Sequence, residues 1–252
     1  MIKYIHRIAT VGAISAGLAL AAALPAGASI GPAFTSHEQA AYAVTNARFR
    51  FVETTFTLPD ATTFASELPG GLLSVSVQLV SSENTWMVLR FSSTTTSVAY
   101  SASFANEFDG GAAIGANGLL GPAGWAKAGD SVTLSIFYDR AGHDHLTAVD
   151  NTTGEAHFGS VAIPSTQYTQ ARVGTEFGAT PNSTAPYTAP ANETRLVTLN
   201  DIHLTSYSGH RAGLVSWWER HKVFMVSSQN VIEIAPHGVF NLGRSFSVFM
   251  EP

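Results

Sequence analysis

The stretch Leu72 to Ser92, LLSVSVQLVSSENTWMVLRFS, constrains the fold more than any other part of the chain. Leu73, Val75, Val77 and Leu79 alternate with Ser74, Ser76 and Gln78, the period-two pattern of a half-buried strand. Ser81 to Asn84 supply a polar turn, and a second run begins at Trp86. A hairpin folded near Glu83 and Asn84 places Met87, Leu89 and Phe91 on the core face with Val75, Val77 and Leu79. Trp86, Val88 and Arg90 then share the other face with Ser76 and Gln78. A sheet face carrying Gln, Arg and Trp is a candidate floor for a binding cleft; a solvated outer face is the simpler alternative.

The same alternation recurs along the chain. Arg48 to Leu58 sets Phe49, Phe51, Phe56 and Leu58 against Arg48, Arg50, Thr55 and Thr57 and stops at Pro59-Asp60. Further strands are predicted over 96–106, 131–138, 146–150, 156–163 and 170–177. Four more are predicted over 194–205, 222–227, 231–235 and 246–250. Asp109 to Gly124 is Gly/Ala-rich and reads as a long loop, as does the proline-containing segment 178–192. Only Arg211 to Glu219 has the pattern of a short helix. About twelve short strands separated by Gly, Pro, Asn and Asp turns make the class all-β, most simply a sandwich of two antiparallel sheets.

The chain of 252 residues opens with a stretch outside that domain. Lys3 and Arg7 precede an uncharged, Ala/Leu/Gly-rich run that ends at Ala26-Gly27-Ala28, the form of a secretory signal cleaved after Ala28. An uncleaved membrane anchor is the competing reading, but the small-residue cleavage site speaks against it. The chain is therefore expected to be secreted, with residues 29–41 a flexible lead and 42–252 a single β-sandwich domain. Loss of the leader removes two positive charges and no negative one, so the formal net charge of −5 becomes more negative. That balance argues against nucleic acid and anionic membrane surfaces as partners. The absence of cysteine excludes thiol catalysis and Cys-ligated metal sites, and leaves burial and strand pairing to hold an exported fold. The abundance of Ala, Thr, Ser and Gly over Lys suggests a bacterial exported protein, in which the sequons at Asn151, Asn182 and Asn192 are plain surface loops.

Several short motifs fail on context. Gly27-Ala28-Ser29-Ile30-Gly31 spells a nucleophile elbow but straddles the cleavage site. His143-Asp144-His145 has chelate spacing but lies at a hairpin tip, and an exposed turn is the better reading. Ser208 and His210 sit too close on one turn to form a dyad. Trp217-Trp218 fits packing at a sandwich edge better than a sugar platform. No metal and no cofactor is expected.

Set in order, TTFTLPD, SVSVQLVSSENTWMVLRFS, GDSVTLSIFYDRAGHDHLTAVDNTTGEAHF, QARVGTEFG and VTLNDIHLTSYSG resemble the glutamic peptidase (eqolisin) family. The resemblance spans roughly residues 42–210 and is carried by the ordered set, not by any single piece. It implies a concanavalin-like sandwich of two bent antiparallel sheets, an active site on the concave face, secretion and work in acid. It also implies a catalytic Glu that activates water and a Gln that orients that water and stabilises the oxyanion. Glu176 stands at the family's glutamate, while Arg90 falls where the family has its glutamine. A guanidinium donates well to an oxyanion, but beside Glu176 it favours the ionised carboxylate and weakens it as a base. With a turn centred on Asn84, Gln78 would face Arg90 across the hairpin and restore an amide to the cleft.

Three functions follow from this reading. The first is a secreted, acid-acting endopeptidase with Glu176 as general base and Gln78, assisted by Arg90, as oxyanion donor. The second is an inactive relative that binds a peptide or polysaccharide in the same cleft, with Arg90 and Glu176 as an ion pair and Trp86 and Tyr100 lining the groove. The third is a secreted interaction domain in which neither group matters. In the first two a polypeptide is the expected substrate or ligand, and a monomer the expected state.

Overall fold

The computed structural model describes residues 29–30, 33–36, 39–60, 72–82, 85–94, 97–108, 113–163, 167–178, 192–217, 219–226 and 232–252. The predicted leader 1–28 and most of the loop 178–192 lie outside these. Among the described residues there is no α-helix, and no helix is long and apolar enough to cross a membrane.

The strands in chain order are β1 (Ser29–Ile30), β2 (Phe34–Ser36), β3 (Gln39–Thr45), β4 (Phe49–Thr57), β5 (Leu72–Ser81) and β6 (Thr85–Thr94). Next come β7 (Ser97–Phe108), β8 (Ala113–Leu120), β9 (Ser131–Tyr138), β10 (His143–Asp150), β11 (Ala156–Ala162) and β12 (Tyr168–Gly178). The last are β13 (Thr194–Ser206), β14 (Arg211–Ala212), β15 (Glu219–Val226), β16 (Ile232–Phe240) and β17 (Ser245–Met250).

Hydrogen bonding arranges them in two antiparallel runs. One reads β8-β7-β6-β5-β12-β3-β15. The other reads β11-β10-β9-β4-β13-β17. β16 pairs with both β15 and β17, and β12 touches β4 through Tyr168 and Phe49, so seven strands close into a barrel and the others extend outward from it. The short β1 and β2, within the lead 29–41, pair parallel with β15.

One core fills the space between the runs. Val75, Val77, Leu79, Met87, Leu89 and Phe91 point into it from β5 and β6, and Val132, Leu134, Ile136, Leu146 and Ala148 from β9 and β10. Those of β5 and β6 are the residues that the alternation assigns inward, and each fully buried Leu or Val contributes roughly 1.5–3 kcal/mol.

Three local expectations are corrected. Phe51 is half-buried under the Arg211 guanidinium, 5.4 Å from its ring, and Val52 takes the core position. Ser206 and Thr205 pair with Phe49 and Phe51, so Arg50 is an extra residue, and such a bulge flips the faces of the rest of the strand. The predicted loop 109–124 contains β8, which among the described residues pairs only with β7 and in which Gly118 lets the Phe104 ring close to 3.3 Å from where a Cβ would stand. The predicted helix 211–219 is a short strand followed by a 3-10 turn at Leu214–Ser216. Gly213 lies so close to Gly243 that a Cβ would approach its backbone to 2.8 Å, and this contact, not helical spacing, shapes the segment.

Alternation also buries a charge-bearing group. Asp144 lies on the inward face of β10 with 0 % exposure; its Oδ2 accepts from the Tyr168 hydroxyl, while Oδ1 has no partner. The Tyr138 ring packs edge-on against Tyr168 at 5.7 Å. Burial pushes the Asp144 carboxyl up to about 7; the Tyr168 bond opposes this and the nearby Asp139 charge adds to it. A carboxyl raised in the folded state is protonated there while the unfolded chain has ionised it, so its stabilising effect is full below about pH 4 and lost as pH rises to about 7. The gap of about three pH units corresponds to about 4 kcal/mol. Asp144→Asn, which mimics the neutral acid, is expected to abolish this part of the stability loss in urea unfolding between pH 4 and 7. Identical pH profiles for the two proteins would refute a buried neutral Asp144.

Candidate functional site

The face opposite the core on β7, β6, β5, β12 and β3 carries the polar set. Cross-strand register aligns Ser103, Arg90, Ser76, Gly174 and Ala41 in one row. On one side of it lie Val88, Gln78, Arg172 and Ala43, and on the other Ser92, Ser74, Glu176 and Gln39. The predicted faces of the hairpin are correct, but its register is not. Gln78 faces Val88 and Arg90 faces Ser76, a shift of two residues that leaves Ser76, Gln78, Val88 and Arg90 on their predicted face.

The small residues of the central row decide what meets there. Gln78 and Glu176 are separated along the strands by the Ser76–Gly174 pair. Neither Ser76 nor Gly174 fills the space above, so the longer side chains lean over the row from both sides while Arg90 enters along it. Gly174 is obligatory for a second reason: a Cβ there would lie 2.4 Å from the Ala40 carbonyl oxygen and from the Ala41 Cβ. The Gln78 amide Nε2 donates to Glu176 Oε1, and Arg90 Nε donates to Glu176 Oε2. Gln78 Nε2 also lies 3.2 Å from Ser76 Oγ. Because a carboxylate can only accept, this contact fixes the amide orientation of Gln78. Its Oε1 is then left buried with no hydrogen-bond partner.

The carboxylate is nearly enclosed, Glu176 being 7 % exposed and Gln78 1 %, with Arg90 the more open of the three. An ion taken that far from water persists only if paired and hydrogen-bonded. Below it, Ser74 and Ser92 bond to each other at 2.7 Å. Beside it, Arg172 Nη1 donates to Gln39 Oε1 at 3.2 Å and Nε to Gln170 Oε1 at 3.1 Å. The sequence reading did not name Gln39, directly opposite Glu176 on β3, nor the spacer role of the Ser76–Gly174 pair. Small residues interrupting an otherwise polar strand face were the available signal.

The other named residues lie elsewhere. Tyr100, expected in the groove, is buried on the core face, stacked on Phe91 with ring centroids 6.1 Å apart and bonded through its hydroxyl to the Pro59 carbonyl. Its register partner Ser93 has the parity of Phe91, which sets it across the sheet from Glu176. Trp86 pairs in the backbone with Val80 and Glu107; its side chain is outside the described set. His143 and His145 both approach Asp139 Oδ2, at 3.4 and 3.1 Å, while Asp144 points inward, so the three do not chelate together. Ser208 bonds Ser206, and His210 packs edge-on against the buried Trp217 at 5.0 Å, so no Ser-His dyad forms. Trp217 in turn meets Phe49 at 4.9 Å, which is packing and not a sugar platform; Trp218 lies outside the described residues.

No protein-family model matches the chain, and no curated protein matches it. Solved structures do. Scytalido-glutamic peptidase with a transition state analog inhibitor matches with a TM-score of 0.63 and 15 % identity over 84 % of this chain and 98 % of that one. The same peptidase with a peptide-based transition state analog gives 0.58 and 14 % over the same shares. SCP-B, a member of the eqolisin family in complex with the tripeptide Ala-Ile-His, gives 0.59 and 16 %, again covering 84 % and 98 %. The chain shares the fold of these peptidases. At such identities the likeness establishes a distant glutamic-peptidase-like architecture, and it extends over nearly the whole length of each neighbour.

Two substitutions probe the site's construction. Arg90→Met leaves the Glu176 carboxylate short of its cation and is expected to cost about 2–3 kcal/mol in urea unfolding at pH 7. This is less than the roughly 3–5 kcal/mol for a fully buried pair, because Arg90 is partly solvated. Gly174→Ala forces a backbone collision and is expected to cost about 1–3 kcal/mol, read as a fall in Tm. A neutral outcome for both would mean that the row is more open than its packing implies.

Proposed function

We propose that the protein is a glutamic-peptidase-like hydrolase that cleaves polypeptides, with Glu176 as general base and acid. The observation that carries this reading is the placement of one carboxylate between an amide and a guanidinium on a fold shared with peptidases. In the proposed reaction Glu176 takes a proton from water as the water oxygen bonds to the scissile carbonyl carbon. The carbonyl oxygen becomes an oxyanion and receives hydrogen bonds from Arg90 and the Gln78 amide, which turn toward it from the carboxylate. Glu176 then returns the proton to the amide nitrogen, the C–N bond breaks, and acid and amine products leave. The orphan Oε1 of Gln78 is an acceptor suited to an N–H of the substrate backbone or to the water itself. Arg90 stands in for the family's glutamine in this scheme and supplies a charged donor in place of a neutral one.

The wider reading follows the same likeness. The barrel and its outer strands make a bent, concanavalin-like two-sheet sandwich with Glu176 on its concave face. The leader 1–28 is removed after Ala28, and the released protein works as a secreted monomer in acid. A second reading, an inactive relative that binds peptide or polysaccharide, draws on one observation: both Glu176 oxygens are already engaged within the chain.

A cleavage assay on the purified chain without its leader, from pH 2 to 7, separates the two. The peptidase reading expects cleavage in acid that falls at least about 100-fold in Glu176→Gln and in Gln78→Ala. Cleavage that survives Glu176→Gln would remove that residue from the mechanism. Peptide binding without cleavage at any pH would favour the second reading.

A further inference from the structure

The ends of β13 and β17 and the interior of β16 bring together a set of side chains outside the Glu176 cluster. Thr194 of β13 pairs with Met250 of β17, which sets Glu193, just before one strand, opposite Glu251, just after the other. Two carboxylates directly opposed across a strand pair repel each other. Between them stands the imidazole of His237 on β16, tilted against the Phe249 ring at 5.2 Å. Its Nε2 lies 2.6 Å from Glu251 Oε1 and its Nδ1 3.2 Å from Glu193 Oε1. One ligand atom from each of the three residues lies within 4.8 Å of the other two.

The hydrogen count on that ring is the informative point. A neutral imidazole has a single N–H, and the shorter contact assigns it to Nε2, donating to Glu251. Nδ1 then presents a lone pair to the lone pairs of Glu193, a contact that repels unless a positive charge lies between the two atoms. A metal ion supplies that charge, with Glu251 in the place of the carboxylate that orients a metal-bound histidine from behind.

We propose that Glu193 and His237 Nδ1 bind a divalent transition-metal ion, and that Glu251 acts as a positioning residue through His237. Imidazole with carboxylate selects Zn²⁺, Cu²⁺ or Ni²⁺ over Ca²⁺ and Mg²⁺. The bound ion ties the start of β13 to the chain's last strands and lies apart from the proposed catalytic groups. The three residues are far apart in sequence, so no spacing motif announces them.

Titration calorimetry of the purified protein with ZnCl₂ tests this. At pH 7.5 one site is expected, lost in His237→Ala and in Glu193→Gln, and weakened 10- to 100-fold in Glu251→Gln. Thermal unfolding gives an independent reading: Zn²⁺ raises Tm of the wild type at pH 7.5 but not of His237→Ala. Absence of binding at pH 7.5, or binding that persists in His237→Ala, would overturn the proposal and leave the cluster a protonated-histidine ion pair. Peptide cleavage is expected to be the same with and without Zn²⁺, so failure here leaves the reading of Glu176 untouched.

Discussion

A buried carboxylate held by an amide and a guanidinium is the constraint around which this sheet is composed. Under that much cover both Glu176 oxygens need hydrogen-bond partners, and Gln78 and Arg90 supply them from two different strands. They reach it because the row between them is reduced to Ser76 and Gly174, and Gly174 in turn lets β3 approach closely enough to set Gln39 beside the acid. A larger residue in the row would block the convergence and part the strands together. The site and the strand packing are thus one problem with a shared solution.

The same balance between charge and burial is struck differently elsewhere. Asp144 is enclosed without a cation, and its environment favours the neutral acid. Arg220 is the reverse case: it lies on the inward face of β15 with Nε and Nη1 unpartnered and its guanidinium 5.9 Å from the Tyr42 ring. Burial lowers its pKa from the ordinary arginine range, while the Tyr42 hydroxyl raises it. Asp144 and Arg220 lie on the inward faces of β10 and β15, so the fold tolerates ionisable groups in its interior at more than one point.

Much of the architecture was legible in the alternation. The inward residues of β5, β6, β9 and β10 follow directly from it, and so does the placement of Gln78, Arg90 and Glu176 on the face away from the core. The errors fall where a non-local contact overrides a local pattern. Phe51 lost its core position to a bulge imposed by β13, the Gly/Ala-rich segment after Asp109 became strand because β7 offers an edge, and Gly213 broke a helical pattern by meeting Gly243. Tyr100 was placed in the groove by its aromatic character, although its parity puts it with Phe91 in the core.

The amino-acid order by itself settled the all-β class and the face each strand residue occupies, because side-chain parity is a local property with a period of two and survives even a two-residue error in register. What the tertiary structure alone decided was which residues on a face become neighbours. Gln78 lies opposite Val88 and not Arg90, the barrel closes at Tyr168 and Phe49, and Glu193, His237 and Glu251 meet at one end of the strands. Register and closure depend on turn geometry and on contacts between segments distant in sequence, and neither leaves a periodic trace in the chain.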